Sequence, residues 1–372
     1  MGFVDLRAAA AMLADADKHQ SLAILGEAPL VAETPEHLLD DDTTPIDRFF
    51  VRNNGTMPAT PSNRDDWVLR VDGAVQRELE LSLRDLEVLA TPVRRWLVLE
   101  CAGNGRAGFS PPVPGNQWAN GGVGCAEWTG IPLAAVLERV GLRPEARYTA
   151  HVGADRHLDD DGPALSRGIR IEKALDPSTL LAWGMNVEPL PPIHGGPLRL
   201  VVPGWAGSAS QKWLTRITIL DREHDGRGMS TYRVPTGPLA PGEEADPATF
   251  RVLEALPVRS IITSPADGTR LPAGSRTLDV RGAAWAGELS VRAVDLSLDH
   301  GATWQRTTLG EQRNPYDWQR WTATVALPSD GYFEICARAT DSNGTMQPYA
   351  VGSWNPGGYG GNAMHRIAVT VG

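Results

Sequence analysis

Cys101 stands in Leu99-Glu100-Cys101-Ala102-Gly103-Asn104-Gly105-Arg106, where the apolar run Trp96 to Leu99 delivers a thiol to a glycine-bearing loop. A thiolate is both a soft metal ligand and a nucleophile, and a nearby cation such as Arg106 lowers the pKa that creates it. Cys125 and Cys336 have no comparable setting and read as small core residues. No Cys-x-x-Cys pair occurs, which removes four-thiolate zinc and iron–sulfur sites, and Cys-x-x-Cys-His is absent too.

The run Gly103-Asn104-Gly105-Arg106-Ala107-Gly108 formally matches a dinucleotide fingerprint. That reading requires a helix next, with its N-terminus facing a pyrophosphate. Pro111, Pro112 and Pro114 forbid the helix. Three other loops carry candidate chemistry: Phe49 to Gly55 with Arg52, Asn53 and Asn54; His194 to Arg199; and Gly207 to Trp213 with Ser210, Gln211 and Lys212. Each alone is weak, and Asn54-Gly55 by itself reads as a turn. Together they offer backbone N–H groups and cationic side chains able to wrap a large anion. The acidic stretch Asp155 to Asp161 reads as a solvated turn in preference to a cation site. His-Glu-x-x-His and Gly-x-Ser-x-Gly are missing, so zincin and α/β-hydrolase chemistry lack support.

The elements that position these loops are mixed. Leu6 to Leu25 reads as a short helix, followed by an irregular acidic arm ending at Asp40-Asp41-Asp42. Trp67 to Gly73 alternates like a strand. Ile131 to Leu137 reads as a helix with Pro132 in its first turn and Gly141 beyond its end. Leu198 to Val202 and Ile217 to Leu220 read as buried strands. This order is α+β. Tyr232 to Ala248, rich in proline and glycine, reads as a linker or wrapping arm. Val258–Thr263, Thr277–Arg281, Val291–Leu298, Trp321–Leu327, Tyr332–Thr340 and His365–Val371 are β-rich and separated by turns, the pattern of an immunoglobulin-type sandwich. The expected organisation is an N-terminal helix and arm over residues 1–48, a catalytic domain over 49–250 and a sandwich over 251–372.

With 372 residues, the chain exceeds one ordinary core. Its net charge of −10 argues against nucleic acid as a partner, while local arginines still permit an anionic substrate. Three cysteines, no basic leader in Met1 to Arg7 and no bilayer-length apolar run lead to the expectation of a cytoplasmic protein that does not engage a membrane.

Cys101 to Arg106 resembles the molybdenum-ligating loop of the sulfite oxidase family, which includes assimilatory-type nitrate reductases. Phe50-Val51-Arg52-Asn53 resembles the family's first cofactor loop, His194 to Arg199 its histidine-glycine-x-proline-x-arginine stretch, and Lys212-Trp213 its lysine-tryptophan loop. Asp341-Ser342, Gln347-Pro348 and Trp354-Asn355-Pro356 look like signatures of its C-terminal dimerisation domain.

The resemblance implies molybdenum held by the dithiolene of one molybdopterin, without haem, and with Cys101 as the protein ligand. It implies cofactor contacts at Asn53, Asn54, Asp155, His194, Arg199, Ser210, Gln211 and Lys212, and an anion pocket of Arg52, Arg106, Trp118 and Tyr232. Asn54 departs from the family's usual histidine. The implied reaction is oxygen-atom transfer, oxidising sulfite or a related small anion and passing electrons to an external carrier or oxygen; nitrate reduction is the runner-up, and a non-catalytic assembly protein is a third reading. A homodimer through the sandwich is implied as well. One departure bears on substrate: sulfite-oxidising members commonly carry an arginine just after Trp-Asn, and here Gly357 stands there. Losing a buried anion partner costs about 2–5 kcal/mol of binding. Arg313 and Arg366 are the candidate replacements.

Overall fold

A computed structural model describes residues 6–372. Residues 1–5, with most of the segment read for a leader, lie outside the described residues. Among the described residues no helix is long and apolar enough to cross a membrane.

Two five-stranded sheets and a small N-terminal sheet build the first part. One sheet orders Glu188–Pro189, Leu180–Met185, Val123–Pro132 and Val93–Glu100, with Arg199–Val201 also paired to Leu180–Met185. The other orders Leu79–Ser82, Val68–Gly73, Leu214–Leu220, Tyr148–Gly153 and Gly168–Arg170. Only its Val68–Gly73/Leu214–Leu220 pair is parallel. Their shared core is Leu69, Val71, Leu133, Leu137, Leu181, Leu200, Leu214 and Ile217, all fully buried. This is the expected α+β mixture.

The N-terminal segment differs from expectation. Its helix is Leu6–Asp15, not Leu6 to Leu25. Asp17 takes φ 53°, a left-handed conformation that stops the helix. Ala23–Gly26 then pairs with Val31–Glu33, which pairs with Val51–Arg52. The expected arm thus folds back as a sheet whose last strand carries Arg52. Ile131 and Pro132 also move: they end the strand Val123–Pro132, and the helix is Leu133–Val140. Pro132 caps it with extended ψ, and Gly141 at φ 70° ends it as the sequence indicates.

The C-terminal part is a β-sandwich of immunoglobulin-like type. One sheet orders Arg259–Ser264, Thr277–Trp285, Gln319–Ala326 and Thr308–Leu309. The facing sheet orders Thr269–Leu271, His365–Val371, Gly331–Asp341, Val291–Ser297 and Gln305–Arg306. Val280, Val294, Ile335, Ala337 and Val369 fill the space between them. A separate apolar cluster, Leu39, Val98, Val123, Ile261, Trp285 and Trp318, joins the sandwich to the sheet that ends at Cys101. The segment read as a linker is anchored at its start, where Arg233–Pro235 pairs with Phe250–Val252.

Candidate active site

Val93–Glu100 is buried over its last four residues and ends immediately before Cys101. The loop then turns sharply: Asn104 N–H donates to Cys101 O at 3.0 Å, and Cys101 N–H donates to Gly122 O at 2.8 Å. Gly105 has φ 85°, and a Cβ there would lie 2.3 Å from Gly361 O of the sandwich, so only glycine suits this turn. A short 3₁₀ turn, Arg106–Gly108, follows in place of a helix, as the prolines require.

Cys101 lies between two recesses. The inner one is lined by Arg52, Asn54, Cys101, Asp155, His194, Arg199, Ser210, Gln211, Lys212 and Tyr232, among others. The outer one is lined by Arg52, Cys101, Arg106, Trp118, Tyr232 and Tyr359, among others. Arg52, Cys101 and Tyr232 belong to both. Four loops from distant parts of the chain therefore converge as the sequence suggested. Asn53 is the exception among the expected cofactor contacts. It does not line the recess; its Oδ1 accepts from Lys212 Nζ at 2.7 Å.

The inner recess is cationic. Lys212 Nζ also donates to Ile193 O at 2.7 Å, and Arg199 Nη1 donates to His194 O at 2.8 Å. Burial pushes the Lys212 ammonium down, with Arg199 adding repulsion. Burial lowers Arg199 to about 9. His194 is driven well down by burial and then by Lys18, so its ring is neutral. Asp155 is the single lining carboxylate, raised to about 6 by burial. Arg199 Nε and Gln211 Oε1 are buried with no partner among the described residues. A cradle of crowded cations and unspent polar atoms suits an anionic, hydrogen-bonding group.

At the outer recess, Arg106 donates from Nε and Nη2 to Gly357 O, at 3.1 and 2.8 Å, and from Nη1 to Asn116 O at 3.0 Å. Trp118 is fully buried and meets Phe50 edge-on at 6.0 Å. Burial raises the Cys101 thiol, while Arg52, then the Gly103 backbone N–H and then Arg106 oppose that shift.

Neither candidate replacement for the missing arginine is here. Arg313 pairs with Asp317 at 2.7 Å and lies over Trp96. Arg366 pairs with Glu334 at 3.3 Å and donates to the Tyr349 hydroxyl. In the acidic stretch, Asp160 pairs with Arg227 at 2.5 Å, and no group of three or more acidic, His or Cys residues that could hold a metal occurs among the described residues. Cys125 and Cys336 are buried.

Sequence reasoning missed Lys18. Its Nζ donates to Ile46 O and to Phe49 O, the latter at 2.7 Å, and lies 3.0 Å from His194 Nε2. It also missed Arg167, fully buried behind Tyr232, and Tyr359. No local signal marks them, since each is brought in by contacts remote in sequence.

The fold and the paired recesses define a molybdopterin-binding oxidoreductase. Residues 54–227 match the oxidoreductase molybdopterin binding domain, and residues 251–372 match the Mo-co oxidoreductase dimerisation domain. The chain is 35% identical over 367 residues to sulfite oxidase of Gallus gallus, covering 95% of this chain and 78% of that one. It is 31% identical to nitrate reductase [NADH] 2 of Phaseolus vulgaris, covering 94% of this chain and 42% of that one. The crystal structure of the sulfane dehydrogenase SoxCD from Paracoccus pantotrophus superposes with a TM-score of 0.78 at 27% identity, covering 95% of this chain and 88% of that one. The chain belongs to the sulfite oxidase family of molybdopterin oxidoreductases.

Proposed function

We propose that the protein oxidises sulfite to sulfate and delivers the electrons to an external acceptor. The observation that carries this reading is the position of Cys101 and Arg52, shared between a cationic inner recess and an arginine-bearing outer one. The inner residues fit a molybdopterin: Arg199 Nε and Gln211 Oε1 are unspent, and an anion beside Lys212 and Arg199 would restore the charge that burial disfavours. Asn54, Asp155, His194, Arg199, Ser210, Gln211 and Lys212 would hold it, with Asn53 acting through Lys212, and Cys101 would supply the thiolate. Bound there, molybdenum supplies the two-electron oxygen-atom transfer.

The chain's own groups do the rest. Cys101 would hold the metal as a thiolate, giving up the proton that burial favours. Arg52 and Arg106 draw the anion in and orient it by charge-assisted hydrogen bonds. Tyr232 donates a hydrogen bond from its phenol to a substrate oxygen. Trp118 walls off water, so these charges act in a low dielectric. The sandwich would pair two copies, and a cytoplasmic location accords with the sparse cysteines.

The test is a pair of dye-linked assays on metal-replete enzyme, sulfite with an oxidising dye and nitrate with a reducing one. Sulfite turnover is expected. Nitrate turnover alone would assign the other activity of the family, and neither activity at one molybdenum per chain would remove the proposal.

A further inference from the structure

Arg167 is a charge that the fold buries without a counter-ion. It immediately precedes the strand Gly168–Arg170 and is fully buried. Nη1 donates to Ser208 Oγ and Nη2 to Leu253 O, both at 2.8 Å. Nε has no partner among the described residues. No carboxylate pairs with this guanidinium among the described residues. Glu254, which acts on it from farther off, pairs instead with Arg170 at 2.8 Å. Burial disfavours the charge, but a guanidinium stays ionised in proteins, so the charge stands in the interior uncompensated.

The groups around it belong to separate parts of the site. Arg167 Cζ lies 5.3 Å from the centroid of the Tyr232 ring, which lines both recesses. Ser208 lines the inner recess beside Ser210, Gln211 and Lys212. Leu253 N–H donates to Tyr232 O at 2.9 Å, so the bond to Leu253 O also fixes the backbone beside the tyrosine. The short helix Arg227–Thr231, which ends at Tyr232, passes over the arginine stem: a Cβ on Gly228 would lie 2.3 Å from Arg167 Cγ. Tyr359 stacks on the Tyr232 ring with centroids 5.2 Å apart. The ring is thus held, while its hydroxyl has no hydrogen-bond partner among the described residues.

We propose that Arg167 is a positioning residue for substrate binding: its unpaired charge, set against the Tyr232 ring, makes that phenol a stronger hydrogen-bond donor to an oxyanion in the outer recess. The inference rests on the reading of the site given above. A cation beside an aromatic ring draws electron density toward itself, and a polarised O–H bonds an anionic acceptor more tightly. No paired carboxylate cancels the field of Arg167, and the interior screens it less than water would. Arg52, Arg106 and Arg233 line the outer recess and can meet an anion there themselves. Arg167 lines neither recess, so its route to the anion runs through Tyr232.

The experiment is a double-mutant cycle on metal-loaded enzyme. Oxidised protein is titrated with sulfate, reading the visible thiolate-to-metal absorption band, and sulfite kinetics, molybdenum content and melting temperature are measured beside it. Arg167→Gln keeps a donor for Ser208 or Leu253 and removes the charge. It should raise the sulfate Kd and the sulfite KM about tenfold, with kcat within about threefold and molybdenum content unchanged. Arg167→Lys keeps the charge and should stay within about threefold of native. In a Tyr232→Phe background, Arg167→Gln should change the sulfate Kd by no more than about twofold, because the hydroxyl it acts through is gone. Four results overturn the proposal: a sulfate Kd within about twofold of native in Arg167→Gln, the full tenfold loss persisting in the Tyr232→Phe background, a lysine variant as weak as the glutamine one, or failure of both Arg167→Gln and Arg167→Met to fold and hold molybdenum, which would make Arg167 framework alone. The titration needs no turnover. Enzyme that shows the expected cycle for sulfate yet leaves sulfite untouched would therefore sink the sulfite reading and leave this one standing.

Discussion

Arg259 of the β-sandwich reaches Glu100, the residue before Cys101, with Nη1 3.3 Å from Oε1, and both side chains are buried. The same guanidinium donates to Asn104 O, Gly361 O and Asn120 Oδ1, at 2.8, 2.6 and 2.8 Å. Glu100 accepts in turn from Asn104 Nδ2 and Trp285 Nε1. The cysteine loop is therefore held by a residue of the sandwich. This explains how an irregular loop of small residues keeps one shape.

Removing one partner of this pair strands the other. Burial raises the Glu100 carboxyl and lowers the Arg259 guanidinium, so the pair offsets a desolvation penalty more than it adds stability. Arg259→Met should destabilise the protein by about 3–5 kcal/mol, read by denaturant unfolding, and Arg259→Met/Glu100→Gln should recover part of that. A single-variant loss below about 1 kcal/mol would show that water reaches Glu100.

Cys101→Ser exchanges soft sulfur for hard oxygen in a nearly isosteric side chain. The Gly103 backbone N–H bonds the Cys101 sulfur, and a serine hydroxyl can accept the same bond, so the loop keeps its contact. Sulfite turnover should disappear while the far-UV dichroism and the melting temperature of the cofactor-free protein stay unchanged. Retained turnover would remove Cys101 from the mechanism.

Much of this was legible from the chain, and the misses have physical reasons. The Cys101, Arg52, His194 and Lys212 loops each combine glycine or a turn signal with polar side chains, and those of Cys101, His194 and Lys212 lie close to apolar runs legible in the sequence. Lys18 is different. It lies 176 residues from the His194 ring it meets, and the sheet that brings them together consists of strands of two to four residues, too short to show alternation. Ile131 fell in an apolar run that helix and strand templates fit equally, and pairing with Leu181 decided for strand. Gly357 read as a loss, because sequence could not show that Tyr359 folds back into its place.

Lys18 should give the cofactor-free protein a distinctive alkaline response. Burial lowers its ammonium to about 7, with Asp47 opposing, against an ordinary value of 10.5. Between these values the unfolded chain binds a proton that the folded chain lacks, so stability rises as pH climbs from about 7 toward 10.5. An anionic cofactor in the inner recess, on the far side of His194, would favour the charged ammonium and flatten the rise. Lys18→Met should abolish the rise in the cofactor-free form, measured as melting temperature between pH 7.5 and 9.5. It should also lower stability at every pH, because the carbonyls of Ile46 and Phe49 lose their donor. An unchanged slope would assign the response to other groups.

His151 should dominate the acid side. It sits at the centre of Tyr148–Gly153, fully buried, with Nε2 2.7 Å from Thr149 Oγ1 and Nδ1 without a partner among the described residues. Burial first, then His224 and Arg167, lowers it to about 3 from an ordinary 6.5. Folding therefore requires a neutral ring. Its contribution is complete above pH 6.5 and is lost progressively as pH falls toward 3, because only the unfolded chain takes up the proton. At pH 5 the loss from this one group is on the order of 2 kcal/mol. His151→Gln keeps a group able to bond Thr149 and has no proton to gain. Denaturant unfolding at pH 7.5 and pH 5 should show the native protein losing about 2 kcal/mol more than the variant. Equal losses would mean that the imidazole is protonated inside the fold, with water reaching Nδ1.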